Sequence, residues 1–495
     1  MAVSDKVVEL AKRRGFFTVS SEIYGGIAGF YDYGAYGTLL KRKLENLWRK
    51  YFVGMDENFF EIEASNIMPE KVFEGSGHIT NFVDPVAKCK KCGTFHRADQ
   101  IMEEFLHENF EGKTVEELTQ LIKKHNVKCS RCKGELGDVS VLNMMFPLAM
   151  GAGKDTVAYL RPETAQGAYV NFLRHFNILR MRLPLGLAII GKAFRNEISP
   201  RQLLLRQREF TQAELQIFFD PREVEEHDNW KEVAKYKLII YHAKKMEKIS
   251  CDDANKKMKI PKFYLYYLAK MQKFFLDELN IPEKKFRLRK LTDEEKAFYN
   301  KVHFDIEIQL EELGWKEVAG CHYRTDHDLK GHQLVSGQSQ EIFYNEKKFI
   351  PHVLELSFGV DRILYSLLEL NYAEDKDRVY LKLPAKLSPF TLAVFPLVNK
   401  DKIPKKAEEI FEELKKHFDA IYDDSGSIGK RYYRQDEIST PVTITCDYQT
   451  ISENTVTIRD RDSTHQIRVN TKNLKTVLTK FLEGENLERL GKTVK

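Results

Sequence analysis

No apolar run in the chain approaches the roughly 20 residues needed to cross a bilayer, and the opening Met1-Ala-Val-Ser-Asp-Lys lacks the apolar core of a signal peptide. No membrane association and a cytoplasmic location are therefore expected. Internal repeats and low-complexity segments are missing, which argues against solenoids and disordered tails. Charge of one sign is scarce as well: 78 Lys and Arg face 73 Asp and Glu, for a net +5. That balance neither proves nor excludes RNA binding, because local clusters such as Lys41-Arg42-Lys43 and Lys430-Arg431 matter more than the sum. What is present, 42% hydrophobic and 31% charged residues over 495 positions, describes a globular chain too long for one core. Two or three domains of α+β class are expected.

Cysteine is used sparingly, yet four of the seven fall in two knuckles, Cys89-Lys-Lys-Cys92 and Cys129-Ser-Arg-Cys132. The pattern matches a structural four-thiolate zinc ribbon, with no coordination position left for catalysis. Reduced thiols and disulfides are the other readings, the latter disfavoured in a reducing compartment. The 36 residues between knuckles exceed the usual ribbon spacing, and the acidic, helix-prone run from Ala98 to His125 fits an inserted hairpin. Cys251, Cys321 and Cys446 have no partner at ligand spacing.

The richest segment runs from Gly191-Lys-Ala-Phe-Arg195-Asn196-Glu197 to Arg208-Glu-Phe210-Thr-Gln-Ala-Glu214. Two β-rich runs flank a polar connection containing Pro200, which predicts an antiparallel hairpin. On it, Arg195 is suited to fork onto a phosphate, Glu197 to accept from an adenine amino group, and Phe210 to cover the base. Alone, the segment reads as readily as an amphipathic hairpin with a surface ion pair. Upstream, Leu40, Leu44, Leu47, Trp48, Tyr51 and Phe52 recur at helical spacing before the strand-like Phe59-Phe60-Glu61-Ile62-Glu63 and Pro69. Downstream, Pro351-His-Val-Leu-Glu355-Leu-Ser357-Phe-Gly359-Val-Asp-Arg362 leads from a strand into a helix.

In that order the three segments resemble motifs 1, 2 and 3 of class II aminoacyl-tRNA synthetases. Within the class the chain is similar to the glycyl family of archaeal and eukaryotic type, from about Phe30 to about Val469. Further strings carry the likeness: Glu74-Gly-Ser-Gly-His78, Arg161-Pro-Glu163-Thr-Ala-Gln-Gly167, Asp423-Asp-Ser-Gly-Ser-Ile-Gly-Lys-Arg431 and Ile458-Arg-Asp-Arg-Asp-Ser463. The resemblance implies glycine, ATP, magnesium and tRNA(Gly) as ligands and a homodimer joined through motif 1. Glycine's ammonium would be held by Glu163, Glu214 and Glu355 with Ser357 near the α-carbon, and Arg97 and Arg324 are candidates for its carboxylate or the tRNA end. ATP would meet Arg195, Asn196, Glu197, Arg206, Gln207, Phe210, Glu317, Val318 and Arg362, with Arg195 and Arg362 the catalytic cations. Three carboxylates around one small cation repel one another when it is absent, so at least one is expected to bind a proton. A methyl pushed among them is rejected by overpacking, worth roughly 1–3 kcal/mol.

The implied reaction is formation of glycyl-adenylate and its transfer to the tRNA 3′ end, with diadenosine tetraphosphate synthesis as an implied side activity. Magnesium ligands cannot be assigned from the residues. The expected organisation is a mainly antiparallel sheet flanked by helices over residues 1–385, interrupted by a zinc-ribbon-like insertion at 86–140 and a helical one at 221–300. The stripe Tyr264-Leu265-Tyr267-Leu268-Met271-Phe274-Phe275-Leu279 reads as a packed face rather than a base-stacking surface, though nearby lysines are suited to steer an acceptor stem. Residues 388–495 alternate strand and helix patterns and resemble an anticodon-binding α/β domain, with Arg431, Arg434, Arg459 and Arg461 as candidate RNA contacts. Met150-Gly-Ala-Gly-Lys154-Asp155 is no phosphate loop, since Leu148 stands where the first glycine belongs and Asp155 where a hydroxyl is required. The competing reading is a synthetase-like accessory protein that binds nucleic acid without catalysis.

Overall fold

The computed structural model describes residues 2–494 except 107, 109, 111, 153–155, 199, 201, 294, 297–299, 376 and 377. Lys154 and Asp155 of the discarded phosphate-loop string thus lie outside the described residues. The molecule is organised by a nine-stranded sheet. Numbered along the chain, its strands are β1 (Phe59–Glu61), β2 (Leu185–Phe194), β3 (Glu209–Phe219), β4 (Lys237–His242), β5 (Lys245–Ser250), β6 (Phe286–Lys290), β7 (Val302–Leu310), β8 (Gly314–Thr325) and β9 (His352–Gly359). They lie in the order β5-β4-β6-β7-β8-β9-β3-β2-β1, antiparallel except for β4 with β6 and β1 with β2.

Residue alternation gives this sheet two different faces, since successive side chains point to opposite sides. Ala213, Leu215 and Ile217 of β3, Leu354, Leu356 and Phe358 of β9, and Ala319 and Cys321 of β8 are buried on the apolar side. Among the described residues three helices pack on that side. Helix α1 (Ala35–Phe52) buries Leu40, Leu44, Trp48 and Phe52 at four-residue intervals. Helix α2 (Lys262–Lys273) donates the Tyr264 hydroxyl to the Cys321 carbonyl at 2.6 Å. Phe358 sits at the junction, its ring centroid 4.8 Å from Phe52, 5.8 Å from Trp48 and 6.0 Å from Phe275. Helix α3 (Val360–Leu370) follows β9 directly and shares the same core.

The expected hairpin is present, with Phe194 paired to Glu209, although regular strand ends at Phe194 and Arg195–Glu197 begin the connection. The helical insertion expected at 221–300 is corrected: β4, β5 and β6 come from it and extend the main sheet, and its aromatic stripe is buried against that sheet. The cysteine-bearing insertion spans residues 83–143, slightly wider than expected. Its strands Val83–Cys89, Phe95–Arg97 and Leu136–Asn143 form a separate sheet, and helices Ala98–Leu106 and Val115–Lys124 fill the gap between knuckles. A Thr114–Glu117 capping box starts the second helix.

From Leu392 a six-stranded sheet builds a second core. Leu392–Pro396 runs parallel to Ala420–Tyr422 and Val442–Cys446, and the remaining strands pair antiparallel. Helices Ile403–Leu414 and Leu474–Leu482 bury Ile403, Ala407, Val477 and Leu478 against it.

Truncating Phe358 to Ala leaves a hole where four aromatic rings converge, and the expected loss is about 3–5 kcal/mol. Guanidinium unfolding followed by tryptophan fluorescence measures it; a shift equivalent to less than about 1 kcal/mol would contradict this packing role.

Candidate active site

The polar face of the sheet bears a regular lattice of functional groups. Register places Glu214 beside Ser357 and Ser357 beside Gly320, while in the next row Gln216, Glu355 and His322 are neighbours. Above these rows lies a cavity of about 260 Å³. Of the nine residues expected to meet ATP and the six expected to meet glycine, all line this cavity except Asn196 and Arg97.

Glu163 reaches the lattice from the loop that follows the strand Thr156–Leu160. Neighbouring Arg161 fixes the loop, donating to the carbonyls of Lys192 (2.8 Å) and Ala64 (3.0 Å). Arg324, 2% exposed, donates to both oxygens of Asp328 (2.8 and 2.9 Å) and to Glu355 (2.9 Å), and lies 3.6 Å from Glu163. It is therefore the counter-charge of the acidic cluster, and it lines the cavity. Gln166 donates to Glu163 (2.8 Å) and Asp328 (3.0 Å), and Tyr169 donates to Gln216 (2.7 Å) and more weakly to Glu355 (3.3 Å).

These partners separate the three glutamates electrostatically. Burial would raise Glu163, but Arg324 and His78 hold it well below the carboxylate range. Burial, with Glu355 and Glu163 nearby, pushes Glu214 up to about 8 even though Thr164 and Ser357 donate to it at 2.7 and 2.9 Å. Glu355 is raised by burial in spite of Arg324. The expectation of a proton in the cluster thus falls on Glu214.

The other end of the cavity is cationic. Arg195 donates to the Pro162 carbonyl at 3.1 Å and lies between the rings of Phe82 and Phe210, 5.3 Å from each centroid. Arg206 donates twice to Glu197 (2.7 and 2.6 Å). Arg362 donates to the carbonyls of Leu205 (3.1 Å) and Glu317 (3.0 Å), with the Glu317 carboxylate 3.2 Å away. Buried Asp361 accepts from the Tyr33 hydroxyl and the Thr211 amide, tying α3 to β3. One cavity therefore offers an acidic end for a small cation and an arginine-rich end for phosphates.

Several wall residues were not assigned from sequence. His78 stands 3.6 Å from Glu163, Phe82 covers Arg195, and His322 stands 3.5 Å from Glu355. Only His78 belonged to a recognised string, Glu74-Gly-Ser-Gly-His78, and no role followed from it. Arg97 does not line the cavity: it is engaged by Asp99 and lies 3.4 Å from Asp84 within the insertion, near enough to the lining residue Glu197 for that carboxylate to raise its pKa. Asn196 is fixed through its backbone, which donates to the Met144 carbonyl at 2.7 Å.

The four knuckle thiols form a compact cluster, all within 4.8 Å of one another. Sγ separations of 3.6 Å (Cys89 to Cys132) and 3.7 Å (Cys92 to Cys129) are close to the roughly 3.8 Å edge of a tetrahedron with 2.3 Å metal–sulfur bonds. They are far from the roughly 2.05 Å of a disulfide. His96 Nε2 approaches the Cys129 sulfur at 3.2 Å. A Cβ on Gly134 would come within 3.1 Å of Cys89 Sγ and 3.2 Å of Cys132 Sγ, so that turn needs glycine. The donor set fits a structural zinc ion.

The four C-terminal arginines read as RNA contacts are all engaged by protein groups, three of them buried and Arg434 partly exposed. Arg431 donates to the carbonyls of Pro396, Asp424 and Gly426, and Arg434 forks onto Asp423. Arg459 forks onto Asp436 (2.9 and 3.0 Å), and Arg461 donates to the Ser439 and Leu383 carbonyls. Sequence could not distinguish a basic surface from buried arginines whose partners lie up to 78 residues away.

Comparison with known proteins places these features in a family. Residues 152–371 match the model of the tRNA synthetase class II core domain (G, H, P, S and T), and residues 391–481 match the anticodon binding domain. Glycine--tRNA ligase of Pyrococcus abyssi is 42% identical, with 96% of this chain and 98% of the relative covered. The Pyrococcus horikoshii enzyme of that name is 41% identical over the same shares, and that of Methanocaldococcus jannaschii 38% identical over 94% and 97%.

Proposed function

Because the chain belongs to the glycine--tRNA ligase family of class II aminoacyl-tRNA synthetases, we propose that this cavity activates glycine with ATP and that the protein transfers the product to tRNA(Gly). One observation carries the proposal: Glu163, Glu214 and Glu355 share a cavity with Arg195 and Arg362, so opposite charges are segregated at its two ends. The glycine ammonium enters the carboxylate cluster, and its carboxylate oxygen is directed at the α-phosphorus of ATP. The new bond to phosphorus forms as the bond to pyrophosphate breaks. Arg195 and Arg362 stabilise the charge on the crowded phosphate, and no protein nucleophile is needed. The terminal ribose hydroxyl of tRNA then attacks the carbonyl and releases AMP.

Phe210 and Glu197 serve the adenine end, and Glu197 exchanges its bond to Arg206 for the base. Magnesium accompanies ATP in this class and supplies charge neutralisation between phosphates. Glu317, whose carboxylate is half exposed on the cavity wall beside Arg362, is placed to meet ATP. Residues 1–385 form the catalytic domain and 388–495 bind the anticodon, in a homodimer joined through the α1 region. Zinc at Cys89, Cys92, Cys129 and Cys132 is structural.

Amino-acid-dependent pyrophosphate exchange tests the reading. Glycine, but not alanine or serine, is expected to support it, and Arg362→Ala should lower the rate about 10²- to 10³-fold. Exchange with none of the three would favour the non-catalytic accessory reading. With excess ATP the same mixture should accumulate diadenosine tetraphosphate.

Glu214 predicts a pH dependence. Its carboxyl, raised to about 8, is protonated at neutral pH without ligand, and must lose that proton to hold an ammonium. The glycine KM should fall as pH rises from 6 toward 8, by up to about tenfold per unit. Glu214→Gln should raise KM and flatten the profile; an unchanged slope would remove Glu214 from the binding step.

For the metal, purified protein should carry about one zinc per chain, and Cys132→Ser should release it. Elemental analysis reads this directly, and metal-free wild-type protein with an unchanged melting profile would refute a structural ion.

A further inference from the structure

The lattice on the sheet contains one position without a side chain and one ring that fills it. Gly320 follows Ser357 in the row that begins at Glu214, and His322 follows Glu355 in the next. A Cβ built on Gly320 would stand 2.3 Å from His322 Nε2 and 2.9 Å from Cε1. The imidazole therefore lies over Gly320, in the space beside Ser357, and it lines the cavity. Building on the glycine-activating reading, we propose that His322, laid across Gly320, is the rigid wall that excludes an α-substituent from the amino-acid pocket.

The ring is held from three directions. Its centroid is 4.1 Å from that of His303 on β7, its Nδ1 is 3.3 Å from the Asn300 amide nitrogen, and its Nε2 faces Glu355 at 3.5 Å. With the Asn300 amide donating to Nδ1, the neutral ring carries its hydrogen on Nε2, the nitrogen on the Glu355 side. Burial, together with His303 and Arg324, keeps the ring well below the usual histidine range, so it stays neutral and does not compete with the substrate ammonium. The glutamates attract the ammonium that every amino acid carries. The ring held by His303, Asn300 and Glu355 adds a rigid surface beside Ser357, which makes it the specificity-determining element.

Steady-state exchange with glycine and with alanine tests this. His322→Ala should raise the alanine-to-glycine ratio of kcat/KM by about tenfold or more, the worth of a methyl-sized space. His322→Gln, which retains bulk, should keep the ratio near that of the unmodified protein. Gly320→Ala should lower glycine kcat/KM about tenfold or more by displacing the ring, and adding His322→Ala to it should restore much of that loss. A His322→Ala protein that loses both substrates equally, or a double variant no better than Gly320→Ala, would overturn the wall. Exchange with no amino acid by the unmodified protein would instead overturn the functional reading on which it rests.

Discussion

Three buried carboxylates, Glu163, Glu355 and Asp328, converge on one buried guanidinium, Arg324, while a fourth, Glu214, lies in the same cluster, and this shortage of positive charge governs the site. Burying ions costs several kcal/mol each unless geometry and hydrogen bonds compensate. Asp328 receives its compensation through a two-pronged bond, and Glu163 through Arg324, His78 and Gln166. Glu214 has only neutral donors in Thr164 and Ser357, so it retains a proton. On the proposed reading an incoming ammonium would resolve the deficit. Such a site would recognise the smallest amino acid by what every amino acid has, and leave discrimination to the space that remains.

That framework depends on sheet register. A slip of one residue in β3 would turn Gln212, Glu214 and Gln216 into the aromatic core and carry Ala213, Leu215 and Ile217 to the cavity. Burial of Trp48, Phe52, Phe274 and Phe275 around Phe358 on the reverse side opposes the slip. β3 also joins the two ends of the cavity, because Phe210 lies four residues before Glu214 on the same strand face. The spacing between the two ends is thus set by strand geometry.

How much of this could be read beforehand depends on whether a residue's partner was local. The hairpin, the α1 stripe and the cysteine knuckles have their signals within a few residues, and their elements are found where periodicity and turn spacing put them. The glutamates were named from resemblance, not from pattern, since three glutamates at 163, 214 and 355 carry no spacing signal. Edge strand β5 and its neighbour β4 were missed because lysines at Lys237, Lys245 and Lys248 mask their alternation, as charged edge strands often do. His322 was invisible for a different reason. Its meaning comes from Gly320, whose missing side chain matters only once both stand on one face of β8.

The cysteine module is far from the phosphates in chemistry but not in connectivity. Its first strand begins at Val83, immediately after Phe82, and its last ends at Asn143, whose side chain donates to the His78 and Ile79 carbonyls (3.2 and 2.9 Å). Met144 then donates its amide to Phe82 and accepts from the Asn196 amide with its carbonyl. The turn carrying His78 and Phe82 is therefore gripped at both ends by the module's closing strands. The cysteine cluster that ties the module together is thereby connected to the ring packed on Arg195 and the imidazole beside Glu163. A structural metal held there would affect both ends of the cavity without contacting a substrate.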